Sequence, residues 1–194
     1  MYNILVTSEI DRVFVSTDDC KISKASRELG AEVHERPAEL ATDTALVIDA
    51  IRHFHGSLVS EGRKADIIVL LEATSPFRTP ALISKCLHRI VDENLDSIAT
   101  FSEAERNPER CWRIEDDIEP RPFIEGAVPW NPRQLLTPAY QLNGAVYAFR
   151  PDRLPKSTPN ILFGRMGAEV IPADGLVDID NKRDFLIANA ILES

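Results

Sequence analysis

The sequence predicts an α/β protein built on a doubly wound, mostly parallel sheet. Three observations carry that expectation. Apolar, β-branched runs alternate with segments of helical periodicity through the first hundred residues. The run Ile67-Ile68-Val69-Leu70-Leu71 is apolar throughout, as a central parallel strand covered on both faces requires. The boundaries between the two kinds of segment carry caps and turn residues.

Residues 11–16 read as a short buried strand, and Thr17-Asp18-Asp19 supplies hydroxyl and carboxylate groups that can cap the next helix. That helix is expected over residues 20–29, with Ile22, Ala25, Ser26 and Leu29 along one face and Gly30 in the left-handed position that ends it. Residues 32–34 read as a second strand. The loop 36–41 follows because Pro37 removes a donor and pushes Arg36 out of the helical region, and a loop there could reach a ligand. Thr42-Asp43 is expected to cap a helix whose apolar positions Ala45, Ile48, Ile51 and Phe54 recur at helical spacing and which Gly56 ends. Residues 65–71 form the central strand. Thr79-Pro80 opens another helix by cap and first-turn proline, running to about residue 94, and residues 97–101 return as a strand.

The pattern changes after Phe101. Residues 102–139 are rich in Pro, Arg and Glu, hold both tryptophans, Trp112 and Trp130, and suggest a hairpin around Asp116-Asp117. Read from its residues, this stretch is a substrate lid, an oligomer arm or a long structured loop. Strands are expected at 144–149 and 169–171, and an amphipathic helix at 181–192 carries Phe185, Ile187, Ala188, Ala190 and Ile191. The 194 residues fit one domain, 1–194, with the irregular stretch of about 102–139 inserted in it.

Composition narrows the partners. A net charge of −9 and a pI near 5.0 argue against a nucleic-acid or membrane-surface binder, since either needs a basic face to meet phosphates. An anionic ligand must then be met locally, by particular arginines or a metal. The three cysteines, Cys20, Cys86 and Cys111, are widely spaced and suggest neither a disulfide framework nor a zinc site, and a reducing cytoplasm is the simplest compartment. No apolar run approaches the ~20 residues that span a bilayer, and the start Met1-Tyr2-Asn3-Ile4 lacks the features of a signal peptide. The four histidines form no spaced ligand set.

Two segments could carry chemistry. In Val177-Asp178-Ile179-Asp180 the carboxylates alternate along an extended segment, so both point to one side, close enough to share a divalent cation with phosphates. Taken alone, so short a pattern favours a helix cap, with Asp180 serving the helix that begins at Asn181 or Lys182. Residues 72–78 must lie at the carboxyl end of the central strand, where open α/β sheets bind ligands; Glu72, Thr74, Ser75 and Arg78 offer acceptors, hydroxyls and a guanidinium fork there. The same residues also read as a plain strand-to-helix connection.

Taken in order, five segments resemble the acylneuraminate cytidylyltransferases, and more broadly the sugar-nucleotide transferases with a Rossmann-like nucleotidyltransferase fold. They are Phe14-Val15-Ser16-Thr17-Asp18-Asp19, Arg36-Pro37-Ala38-Glu39-Leu40-Ala41-Thr42-Asp43, Leu71-Glu72-Ala73-Thr74-Ser75-Pro76-Phe77-Arg78, Arg133-Gln134 with Asn143-Gly144-Ala145-Val146-Tyr147, and Val177-Asp178-Ile179-Asp180. Their order reverses the preference for a cap at Asp178 and Asp180. The resemblance implies that CTP and a nonulosonic acid such as N-acetylneuraminate react on Mg²⁺ to give the CMP-sugar and pyrophosphate. It implies Asp178 and Asp180 as metal ligands and catalytic residues and Arg36 as the nucleotide contact. Glu72, Ser75, Arg78, Arg133, Asn143 and Tyr147 would line the sugar pocket, Arg133 facing the sugar carboxylate, with Arg110 near the place of a further basic residue. Residues 102–139 resemble the part of the family that crosses a subunit boundary, which implies a homodimer.

Two departures stand out. The family usually has Gln where this chain has Glu72, which implies a different sugar substituent or another nonulosonic acid. The family also opens with a strand and a Gly-rich basic loop that cradles the triphosphate. Met1 to Leu5 resemble a start inside the family's first helix, which implies an N-terminally shortened form with weakened or absent catalysis.

Overall fold

Strands and helices alternate in the expected order through the first hundred residues of the computed structural model, which describes residues 8–115, 119–172 and 177–193. The expected turn at Asp116-Asp117 and the segment Met1 to Leu5 lie outside the described residues. The elements are β1 (Phe14–Thr17), α1 (Cys20–Glu28), β2 (Glu32–Glu35), α2 (Val47–Ser60), β3 (Ile68–Leu70), α3 (Pro80–Asp92), β4 (Ser97–Glu103), β5 (Trp112–Glu115), β6 (Glu119–Pro122), β7 (Tyr140–Phe149), β8 (Met166–Val170) and α4 (Lys182–Leu192).

Two helices sandwich the main sheet. On one face Ile83, Cys86, Leu87 and Ile90 of α3 bury themselves against Ile98 of β4 and Val146 and Ala148 of β7, with Ile67, Val69 and Leu71 alongside. On the other, Ile48 and Ile51 of α2 meet Phe149, Phe163, Ile68 and Leu70. Alternate side chains around β3 therefore reach opposite helices, which is why its run is apolar at every position. α2 also reaches the β1–β2 pair, where Phe54 meets Phe14 edge-on at 5.0 Å. The layers are those of an α/β doubly wound fold.

The ladder itself is mixed. Strands are ordered β3-β7-β4-β8, with β7 antiparallel to β3 and β4, and β4 parallel to β8. β1 and β2 form a separate parallel pair, and β5 and β6 an antiparallel hairpin. β3, expected as a central parallel strand, pairs among the described residues only with antiparallel β7. Periodicity reports which faces are covered and carries no information about a neighbour's direction.

Four further expectations are corrected. On α1 the buried residues are Ser23 and Ser26, while Ile22 and Leu29 are exposed; the Ser26 hydroxyl donates to the Ile22 carbonyl at 2.7 Å, so its burial leaves no unpaired donor. α2 starts at Val47 without a side-chain cap, Thr42 instead closing a turn with Ala45, and it runs through Gly56 to leave at Gly62, whose φ is +72°. α4 buries only Ala188 and exposes Phe185 and Ile187. Residues 177–180 join no ladder, and Asp180 lies in a bend.

Caps hold elsewhere. The Asp19 carboxylate accepts from the Lys21 and Ile22 amides at 2.7 and 2.9 Å, and the Thr79 hydroxyl accepts from the Leu82 amide at 3.2 Å with Pro80 in the first turn. α4 is capped by Asn181, whose side-chain Oδ1 accepts from the Arg183 and Asp184 backbone amides, while the Asp184 carboxylate accepts from the Asn181 backbone amide. Asp180 is therefore not the cap.

Candidate active site at the end of strand β3

A bulge in β7 builds the site. β4 and β7 pair in register up to Ala99 with Tyr147, and resume at Phe101 with Leu142, so residues 143–146 of β7 stand opposite Thr100 alone. The buried Thr100 hydroxyl holds the bulge together: it accepts from the Val146 amide at 3.0 Å and donates to the Asn143 Oδ1 at 2.6 Å. The Ala145 amide also donates to that Oδ1, at 3.2 Å, which fixes the orientation of the amide group. Asn143 Nδ2 is thereby turned inward, buried and without a hydrogen-bond partner. A buried donor with nothing to donate to is costly, and a ligand acceptor would relieve it.

Gly144 follows at φ +69°, in the left-handed region that a glycine adopts freely. A Cβ there would lie 2.5 Å from Glu72 Oε2 and 2.6 Å from Ser75 Oγ, so the bulge and the loop after β3 pack backbone to side chain. Ser75 Oγ donates to the Asn143 carbonyl at 3.1 Å. Buried Arg78 donates from Nη2 to the carbonyls of Glu72 and Ser75, clamping the loop from beneath, and its Nε has no partner.

The aspartates arrive from the other end of the chain. The Ile179 amide donates to the Thr74 carbonyl at 2.9 Å, and Val177 and Ile179 are half-buried while Asp178 and Asp180 are exposed on the opposite side. Their charge is felt nearby. Burial first, then Asp178, with a smaller push from Asp180, raises the Glu72 carboxyl above the usual carboxylate range against the pull of Arg78. Burial, Glu72 and Asp178 push the Tyr147 phenol up to about 12, so at neutral pH it is a hydrogen-bond donor.

The structure thus brings together Glu72, Ser75, Arg78, Asn143, Tyr147, Asp178 and Asp180. Two expected residues stand elsewhere. Arg133, 78% exposed, pairs with Glu103 at 2.7 Å and lines a cavity of about 600 Å³ together with Arg106, Arg110 and Glu105. Arg36 is tied to the carboxyl end of β1, its Nη2 donating to the Ser16 carbonyl at 2.8 Å and its Nε to the Ser16 hydroxyl at 3.2 Å.

Residues 1–157 match the family described as Cytidylyltransferase. The chain belongs to this family. Among curated relatives, this cytidylyltransferase-family chain is 28% identical over 174 residues to an N-acylneuraminate cytidylyltransferase of Streptococcus agalactiae, which covers 90% of the chain and 41% of that relative. It is 27% identical over 186 residues to the post-translational flagellin modification protein B of Campylobacter coli, covering 93% and 77%, and 27% identical over 183 residues to N-acylneuraminate cytidylyltransferase B of Danio rerio, covering 93% and 41%. The chain therefore spans about two fifths of the length of the N-acylneuraminate cytidylyltransferases it matches. Among solved structures, a CMP:2-keto-3-deoxy-manno-octonic acid synthetase complexed with CTP superposes with a TM-score of 0.68 at 16% identity, over 99% of this chain and 85% of that one. A 4-diphosphocytidyl-2C-methyl-D-erythritol synthase from Anaerococcus prevotii gives 0.60 at 14%, over 100% and 83%. These likenesses show the nucleotidyltransferase α/β fold.

The donor set bears on a metal. Among the described residues no three His, Cys, Asp or Glu side chains form a closed cage. Two exposed carboxylates on one side of a segment suit Mg²⁺ nevertheless, because that ion keeps several waters and takes one or two carboxylates together with substrate phosphates. Among the described residues no helix is long and apolar enough to cross a membrane.

Two contributors were not singled out from the sequence. Thr100 is a polar residue in the otherwise apolar stretch Ile98-Ala99-Thr100-Phe101, and that break was the available signal. Gly144, quoted above only as part of the Asn143–Tyr147 segment, is a cradle whose need for glycine depends on Glu72 and Ser75, about 70 residues away in the chain.

Proposed function

We propose that this chain carries the CMP-transferring site of a sialic-acid-type cytidylyltransferase: CMP passes from CTP to the anomeric hydroxyl of a nonulosonic acid, with release of pyrophosphate. The observation that carries this reading is the convergence of Asp178 and Asp180 on Glu72 and Tyr147 at the strand end of a cytidylyltransferase-family fold. Family membership and the names of the relatives support the cytidine nucleotide and the sugar acid.

In this reading Asp178 and Asp180 would hold Mg²⁺, which would neutralise negative charge on the triphosphate oxygens. Asn143 Nδ2 and the Tyr147 hydroxyl donate to sugar oxygens, and Ser75 and Arg78 keep the loop that presents Glu72 in place. Arg36 meets the nucleotide. Arg133 and Arg110 line a cavity of their own, and they would meet the sugar carboxylate only where the bound acid reaches from the Glu72 end into that cavity. Exposed Ile114 on the hairpin β5–β6, exposed Phe123 just after it and the strongly exposed Trp130 form the surface of a homodimer. The enzyme works in the cytoplasm.

Glu72 favours a second reading within the same chemistry. A carboxyl that is raised by burial and by Asp178 binds a sugar substituent differently from an amide, so the acceptor is a nonulosonic acid other than N-acetylneuraminate.

The test is Mg²⁺-dependent pyrophosphate release from CTP with a panel of nonulosonic acids. Release with any of them, lost on Asp178→Asn or Asp180→Asn by a factor of about 100 or more, supports the reading. CTP binding that is unaltered in both variants, with Mg²⁺ present, defeats the metal assignment.

A further inference from the structure

Outside the site, three side chains from three elements form one hydrogen-bonded line. Ser16 on β1 lies 3.0 Å from Nδ1 of His34 on β2, and Nε2 of His34 lies 3.1 Å from Nδ1 of His53 on α2. At the other end Arg36 Nε donates to the Ser16 hydroxyl oxygen at 3.2 Å. Every contact is made when the Ser16 oxygen takes the Arg36 proton and His34 bridges Ser16 and His53, either with its proton on Nε2 and the Ser16 hydroxyl donating to Nδ1, or with its proton on Nδ1 and His53 donating to Nε2, because a hydroxyl oxygen has two lone pairs. The Arg36 backbone amide donates to the Thr17 carbonyl at 3.0 Å, so both the main chain and the side chain of Arg36 are tied to the end of β1.

We propose that Ser16, His34 and His53 are positioning residues: a hydrogen-bonded chain that aims the Arg36 guanidinium at the nucleotide. This rests on the reading of Arg36 as the nucleotide contact.

The surroundings enclose the imidazole of His34. From α2 come His53 and the Phe54 ring, edge-on to His34 at 5.2 Å, with Glu61 just past the helix end. From β1 come Ser16 and Phe14, and from the loop after β2 comes Arg36. Glu35, next in β2, faces Arg27 of α1 at 3.6 Å. Burial, then His53 and Arg36, hold His34 below the usual imidazole range, and Glu61 alone opposes them. Burial thus keeps His34 neutral at neutral pH.

The experiment measures CTP affinity with Mg²⁺ at pH 7.5 for wild type, Arg36→Ala, Ser16→Ala, His34→Phe and His34→Asn. Asn keeps a hydrogen-bonding partner for the Ser16 hydroxyl. The expected result is a loss of about tenfold or more in Arg36→Ala, a loss of about three- to tenfold in Ser16→Ala and His34→Phe, and near-wild-type affinity in His34→Asn. Loss in Arg36→Ala with wild-type affinity in Ser16→Ala and His34→Phe overturns the positioning role and leaves the nucleotide reading standing. Full affinity in Arg36→Ala overturns the nucleotide reading instead.

Discussion

The amide of Ile179 donates to the carbonyl of Thr74 across 105 residues of sequence, at 2.9 Å. This bond fastens the Asp178-Asp180 segment to the loop that carries Glu72, although residues 177–180 belong to no sheet. Replacing Ile179 by proline deletes the donor while keeping an apolar side chain. Mg²⁺-dependent CTP affinity should fall by about tenfold, with about 1 kcal/mol lost in denaturant unfolding. Wild-type affinity in that variant would mean the segment is held by other contacts.

Gly144 has no room for a side chain. The Gly144→Ala substitution sets a methyl group against Glu72 Oε2 and Ser75 Oγ in a left-handed backbone, and should lower stability by about 1–3 kcal/mol. Chemical denaturation checks this; a loss under about 0.5 kcal/mol would show that Glu72 and Ser75 swing aside freely.

Thr100→Val keeps the shape and removes the hydroxyl that holds the bulge. It strands the Val146 amide and frees Asn143 to turn, so about 1–3 kcal/mol of stability should go, and sugar binding should weaken more than CTP binding. Equal weakening of both ligands would contradict the assignment of Asn143 to the sugar.

Glu72 should make stability depend on pH in a particular direction. Its folded-state carboxyl is raised, so the folded chain holds the proton more tightly than the unfolded chain does. The contribution is present in full below the ordinary carboxylate range and is lost as pH rises through the raised folded value. Glu72→Gln removes that loss. In metal-free buffer the variant should melt up to about 2–4 °C above wild type at pH 7, and the gap should close near pH 4. A gap of the same size at both pH values would place its origin outside this titration.

His34 shifts the other way. Its folded-state proton affinity is lowered, so nothing is lost above the usual imidazole range, and stability falls as pH drops through the unfolded value toward the folded one. His34→Asn should flatten that acid-side fall in thermal midpoint between about pH 7 and 5, and an unchanged slope would assign it to other groups.

The sequence was enough for much of the frame. The continuous apolar run at 67–71, the Thr79-Pro80 start of α3 and the Gly30 end of α1 are local patterns whose physics acts within one or two turns of chain. Local signals failed where a partner decided the outcome. Ile22 and Leu29 look like a core face by spacing, yet α1 turns two serines inward. Thr42-Asp43 looks like a cap, yet α2 begins at Val47, where its inner face first meets β3 and β7.

For the site, residue types and their order along the chain determined which carboxylates, amides and hydroxyls were available, because the functional groups of Glu72, Asn143, Tyr147, Asp178 and Asp180 are intrinsic to those residues. Only the tertiary structure decided their roles. It gathered loop, bulge and carboxylate segment at one strand end, assigned Arg78 to clamping the loop, and set Arg133 beside Glu103 in a separate cavity. Chemistry belongs to single side chains, whereas burial, orientation and mutual charge are set by neighbours that the chain brings together from far apart in sequence.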